Sequence, residues 1–260
     1  MAIFCNSLNC VVSLCARIIT DMNALNNADI VTGNACDELT PIAPPAAKSS
    51  RSGVSVEYAY DESGEKQWFL FRASYGREDM AADILTNMGV YTYVPKRREV
   101  VVVNGKRRSI LRNLMPNFVF AYLAESEARV CVRGVEADKT YFDSLSDDRQ
   151  RAVCILSSFL SFYYDHFHQR NGVNPPLVVP QSEMMNLIYA TMSHNENVLL
   201  LQEGKYTFKG DEEVEVIHGE FKGVRGRVVR AGRQQRVRIT LTGFGAIATA
   251  YVPSALLRKV

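Results

Sequence analysis

Met115-Pro-Asn-Phe-Val-Phe-Ala-Tyr-Leu123 is the stretch whose reading decides the fold. Successive residues of a strand point to opposite faces. As a strand, it places Pro116, Phe118, Phe120 and Tyr122 on one face and Asn117, Val119, Ala121 and Leu123 on the other. One face is then aromatic, the other mostly small and aliphatic. Two readings stay open. In the first, the strand is central between two packed layers and its rings supply core area, as aromatic side chains do. In the second, the aromatic face stays partly open to receive a partner, since exposed apolar patches mark interfaces. Periodicity does not choose between them.

Upstream, Gln67-Trp68-Phe69-Leu70-Phe71-Arg72-Ala73 is short, aromatic and bracketed by Gly64 and Gly76, which reads as a further strand. From Arg77 to Met88, the residues Met80, Ile84, Leu85 and Met88 recur at helical spacing, with Gly89 as the stop. Val90 to Pro95 reads as a strand. Lys96-Arg97-Arg98 then leads through Glu99 and four valines to Asn104-Gly105 and back through Lys106-Arg107-Arg108, with Arg112 beyond. Asn-Gly between strand-like flanks is a hairpin signal, because both turn positions need positive φ. The cations suit a solvated edge that discourages aggregation. They equally suit an arm that contacts phosphates.

Downstream, residues 124–148 are mixed and polar. Asp147 to Phe159 reads as a helix capped by Ser146, with Val153, Leu156 and Leu160 inward. Tyr163-Tyr164-Asp165-His166 reads as a short strand end, and Pro175 to Pro180 as an extended segment. A second helix is expected over Glu183–Thr191, capped by Ser182, with Met184, Leu187 and Ile188 apolar. After residue 208 the texture changes to short β-branched strands separated by glycine-rich turns, the pattern of a small barrel.

The net charge of +2 hides an uneven distribution. Residues 1–65 hold three Lys/Arg against eight Asp/Glu, whereas residues 205–260 hold eleven against five. A basic C-terminal piece is compatible with nucleic acid or an acidic protein surface. The six cysteines form no Cys-x-x-Cys pair and lie near no histidine at zinc-ligand spacing, so free thiols in a reducing compartment are expected, with no metal and no cofactor. No apolar run approaches the roughly 18–20 residues that span a membrane. Residues 1–60 show no convincing period, and their Pro41, Pro44 and Pro45 precede a Ser/Gly-rich stretch. They read as a poorly ordered extension, with a possible turn of helix near Val11–Ile19.

Gly210-Asp211, Glu215-Val216 and then Gly219-x-Phe221-x-Gly223-x-Arg225-Gly226 before a valine-rich strand resemble the KOW motif. Upstream, Trp68-Phe69-Leu70-Phe71, Gly76-x-Glu78 before a helix, Val94-Pro95 and Leu114-x-Pro116-x-Phe118-Val119-Phe120 resemble, in order, a NusG N-terminal domain. Together they cover about residues 66–260. The expected fold is therefore α+β: an extension over 1–65, an N-terminal (NGN) domain over 66–200 with an antiparallel sheet flanked by helices, a linker over 201–208, and an SH3-like KOW β-barrel over 209–260. Tyr163 to His166, Pro175 to Pro180 and Met184-Met185-Asn186 make the chain similar to specialised NusG paralogues of Bacteroidetes that accompany capsular polysaccharide operons. One position departs from the family. Where NusG has Pro-Gly-Tyr, this chain has Pro116-Asn117-Phe118, keeping the ring and losing the hydroxyl.

The resemblance implies a non-enzymatic elongation and antitermination factor in the cytoplasm, monomeric and without a membrane. It would dock on the clamp helices of RNA polymerase through Trp68, Pro116, Phe118, Phe120 and Tyr122, with at least one of the rings of Phe118 and Phe120 facing the partner. The hairpin cations Lys96, Arg97, Arg98, Lys106, Arg107, Arg108 and Arg112 would lie beside upstream or non-template DNA. The KOW loop, Gly219, Phe221, Gly223, Arg225 and Gly226, would serve a barrel that recruits a small-subunit ribosomal protein or another factor. An RNA- or ribosome-binding KOW protein is the competing reading. One NusG relative refolds its barrel as a helical hairpin. Here β-branched residues at 228, 229, 237, 239, 240 and 242 favour strands instead. His166 and His168 beside Asp165 suggest acid–base chemistry, but no nucleophile or phosphate loop accompanies them, and a structural role is expected. Glu183 is expected to be a solvated acid in a first helical turn.

Overall fold

The computed structural model describes residues 65–169, 171–201, 212–231 and 234–260. The expected extension, its turn of helix near Val11–Ile19, the linker at Gln202–Tyr206 and the opening Gly210-Asp211 lie outside these residues.

The first sheet is antiparallel, in the order β2-β5-β1-β6, with β7 also pairing with β1. Its strands are β1 (Lys66–Ala73), β2 (Tyr91–Tyr93), β5 (Phe118–Ala124), β6 (Leu160–Phe162) and β7 (Val178–Val179). The stretch quoted above is its second strand from one edge, paired from Lys66↔Ala124 to Arg72↔Phe118. That register gives each face one layer. Phe69, Phe71, Ala73, Val119, Ala121 and Leu123 pack with Ala81, Leu85, Ala128, Cys131 and Leu156 into one buried cluster. Those partners come from α1 (Glu78–Asn87), α2 (Glu125–Arg133) and α4 (Asp147–Ser157). On the other face, Trp68, Leu70, Phe120 and Tyr122 are buried as well. There α5 (Gln181–Thr191) packs on β1, with Met184, Leu187 and Ile188 buried.

Two helices fill the segment read as mixed and polar: α2 and the short α3 (Lys139–Ser144). The first opens without a Ser, Thr, Asn or Asp at its cap; Glu127 reaches back to accept from the Ala124 N–H at 3.1 Å. The second is capped by Asp138, which accepts from Tyr141 N–H at 2.9 Å. Ser146 does occupy the cap position of α4 but makes no capping bond through its side chain. Ser182 is not the cap of α5. That helix starts two residues earlier than expected, after an extended Pro180, because proline fixes φ and needs no N–H partner there.

The hairpin is a separate two-stranded ribbon of β3 (Lys96–Val103) and β4 (Lys106–Asn113). Asn104 and Gly105 adopt φ of 50° and 73°, the left-handed pair the turn demands.

The C-terminal residues form strands, as their β-branching predicts. The order is β13-β9-β10-β11-β12-β8, from β9 (Glu213–Val216), β10 (Arg225–Ala231), β11 (Gln234–Leu241), β12 (Gly245–Ala248) and β13 (Leu257–Lys259). The sixth strand, β8 (Leu199–Leu201), pairs with β12 although the sequence reading places it in the N-terminal domain. No pairing joins β13 to β8 among the described residues, so the sheet is open where a closed barrel was expected.

Candidate functional site

Of the five aromatic-face residues, the structure gathers four on one side of β1 and β5. Trp68 and Tyr122 are cross-strand partners, their ring centroids 5.4 Å apart. Trp68 Nε1–H donates to Gln181 Oε1 at 2.8 Å, which ties the strand to the start of α5. Phe120 is fully buried. Phe118 sits at the rim, half-buried, edge-to-face with Tyr163 at 5.6 Å and with Phe244 at 5.0 Å. Pro116 is exposed beyond it. Three of the rings are thus enclosed by the protein itself, and the rim alone offers accessible surface.

The cover over Phe118 comes from the turn between β11 and β12, and a single acid holds that turn. Glu183, in the first turn of α5, accepts from Thr242 N–H at 2.7 Å and from the Thr242 hydroxyl at 2.6 Å. It is an anchor between the two sheets and not the solvated acid expected from the sequence. Gly243 follows with φ of 79°, and a Cβ there would meet Leu177 Cδ1 at 2.5 Å. Asn186, one turn along α5, accepts from the Arg225 N–H at 2.9 Å. The sequence offered no signal for these contacts, which depend on how two separate segments meet.

Asn117 adopts φ of 70°. Its side-chain oxygen accepts from Gly76 N–H at 2.9 Å and its carbonyl from Ala73 N–H at 2.8 Å. Asparagine tolerates this left-handed conformation better than most residues.

At the hairpin base, Lys96 pairs with Asp79 at 2.8 Å, and Asn113 Nδ2–H donates to Glu78 Oε1 at 2.7 Å. The Arg98 N–H donates to the His194 carbonyl at 2.9 Å. The base is therefore fixed. Arg98, Lys106, Arg107, Arg108 and Arg112 are exposed, with Arg97 half-buried.

In the glycine-rich loop, Gly219 and Gly223 have φ of 87° and 91°, and Phe221 is buried. A Cβ on Gly226 would collide with the Arg238 carbonyl oxygen, so β10 and β11 need a glycine there. Arg225 pairs with Glu215 at 3.3 Å, and Arg258 shares that carboxylate at 3.0 Å. The Arg258 side chain, with Arg225 beside it, holds the Glu215 carboxyl below the usual glutamate range.

Asp165 accepts from the N–H groups of Phe167 and His168 at 2.8 and 3.1 Å and faces His168 Nδ1 at 2.9 Å. The Phe167 N–H bond is the main cause of its lowered pKa. These bonds close a loop beside a cleft of about 840 Å³ whose lining also includes Arg129 and Arg133 of α2.

The family model described as transcription termination factor NusG matches residues 66–140. That match covers 75 of the 260 residues. The match runs from β1 through the hairpin and β5 into α3, so it contains every aromatic-face and hairpin residue named above. A comparison with curated proteins finds no match. NusG proteins are non-catalytic transcription factors that bind RNA polymerase, and the match supports a general role in transcription elongation or termination with that partner. Among the described residues no helix is long and apolar enough to cross a membrane.

Proposed function

We propose that this chain is a transcription elongation and antitermination factor that docks on the clamp helices of RNA polymerase. The observation that carries the reading is the coincidence of the NusG match with the strand pair that bears Trp68, Phe118, Phe120 and Tyr122 on one face. In this reading Phe118 and Pro116 form the contact, while Trp68, Phe120 and Tyr122 set the position of the rim from beneath. Docking through Phe118 displaces Phe244 and its turn, whose hold on the N-terminal domain includes the Glu183–Thr242 bonds. The hairpin then lies along upstream or non-template DNA. The C-terminal sheet acts as the KOW module, with a small-subunit ribosomal protein as its partner, and the operon served is a capsular polysaccharide operon.

The test is transcription by purified polymerase across a pause site. The wild type shortens the pause, and Phe118→Asp abolishes the effect while Arg225→Glu with Arg227→Glu retains it. If instead the Arg225/Arg227 variant loses activity and Phe118→Asp keeps it, the protein is an RNA- or ribosome-binding KOW protein.

A further inference from the structure

The two faces of the β3–β4 ribbon differ. Register places Arg98 opposite Leu111, Val100 opposite Ser109 and Val102 opposite Arg107 on one face. The other face carries Arg97, Glu99, Val101, Val103, Lys106, Arg108, Ile110 and Arg112. That second face covers more of its apolar surface: Arg112 pairs with Glu99 at 3.0 Å, Val101 and Ile110 are half-buried, and only Val103 beside the turn is exposed, at 42%. The first face leaves its aliphatic side chains in water. Val100, Val102 and Leu111 are 53%, 67% and 52% exposed. A solvated ribbon has no use for three uncovered aliphatic residues in a row, and a two-stranded ribbon alone is only marginally stable.

Charge narrows the partner. Over residues 96–113 the ribbon has seven Lys/Arg and one acid, and its cations point from both faces and the tip. On the aliphatic face itself, Arg98 and Arg107 stand at opposite ends and on opposite strands, so both flanks of the apolar patch carry a cation, which suits a groove with phosphates rising on either hand. The major groove of B-form DNA, about 12 Å wide, admits a two-stranded ribbon and displays thymine methyl groups to apolar side chains. The corresponding groove of an RNA duplex is deep and too narrow to read.

We propose that the ribbon enters the major groove of double-stranded DNA with Val100, Val102, Ser109 and Leu111 toward the base edges and Arg98 and Arg107 on the flanking phosphates. This rests on the reading of the hairpin as a nucleic-acid arm and specifies its ligand and orientation. With strands of eight residues at about 3.3 Å each, the ribbon spans roughly 26 Å, or about eight base pairs.

The experiment is fluorescence anisotropy of the full chain with a 20-base-pair DNA duplex, the same sequence as an RNA duplex, and the single DNA strand, over a series of salt concentrations. The triple variant Val100→Thr, Val102→Thr, Leu111→Thr keeps strand-compatible side chains, and circular dichroism checks its fold. We expect tighter binding to duplex DNA than to either other ligand. The triple variant weakens duplex binding roughly tenfold by losing apolar contact, with the salt slope unchanged. Arg98→Gln with Arg107→Gln lowers the slope of log affinity against log salt by about 1.8. A triple variant that binds duplex DNA like the wild type, or a wild type that binds RNA duplex or single strand equally well, overturns the groove assignment while leaving the arm. Failure of the wild type to bind any of the three overturns the arm itself, and the groove assignment with it.

Discussion

Asn117 condenses the argument at the scale of one residue. Its φ of 70° costs an ordinary side chain about 1–2 kcal/mol, and its amide oxygen holds the Gly76 N–H. Asn117→Ala is therefore expected to lower stability by about 1–3 kcal/mol in urea unfolding, from backbone strain and the lost bond. Asn117→Gly restores the backbone and forfeits only the bond, so it should cost less. Equal losses for the two variants would show that the conformation carries no strain. Gly226 gives a harsher case, since any Cβ meets the Arg238 carbonyl oxygen. Gly226→Ala should open the β10–β11 pairing, seen as faster amide exchange at Val228 and Val237, which pair across it. The aromatic face was legible from alternation alone, because period-two patterning fixes which residues share a side. Whether that side is covered was not legible. The cover over Phe118 is Phe244, more than a hundred residues away, and no local rule connects them.

At the scale of elements, helix and strand signals succeeded where apolar spacing, glycine or Asn-Gly spoke locally. The hairpin turn and α1 are cases of this. They failed at α2, whose cap is an alanine assisted by Glu127 at a distance of three residues. They also failed at β8, three leucines that join the C-terminal sheet only because β12 offers an edge. Helix α5 links the parts: Gln181 bonds Trp68, Glu183 bonds Thr242, and Asn186 bonds the Arg225 N–H. Glu183→Ala removes two bonds of the charge-assisted kind. It should free the β11–β12 turn, raising amide exchange at Thr242 and Phe244 and the accessibility of a cysteine placed at Phe118, with little change elsewhere. Unchanged protection at Thr242 would contradict the anchor. Glu215 makes a pH-dependent contribution. Arg258 and Arg225 hold its pKa below that of the unfolded chain, so its stabilisation is full above the unfolded glutamate value and is lost as pH falls through the lowered one. Acid unfolding monitored by circular dichroism should show that loss shrink in Glu215→Gln.

Across the described residues, the N-terminal sheet presents an aromatic rim, the separate β3–β4 ribbon is basic, and the β11–β12 turn of the C-terminal sheet rests on the rim. The NusG match covers the first two and stops short of the third. The C-terminal sheet runs from β13 to β8, the latter supplied by residues before 202, with no pairing between those two strands among the described residues. In the proposed function, polymerase and Phe244 compete for Phe118. The measurement that tests this most directly is retention of purified RNA polymerase from the same organism on the immobilised full chain, comparing wild type, Phe118→Asp and Glu183→Ala. The account predicts retention by the wild type, loss with Phe118→Asp, and stronger retention with Glu183→Ala, whose turn no longer covers the rim. Equal retention by wild type and Phe118→Asp, or none by any of the three, would contradict it.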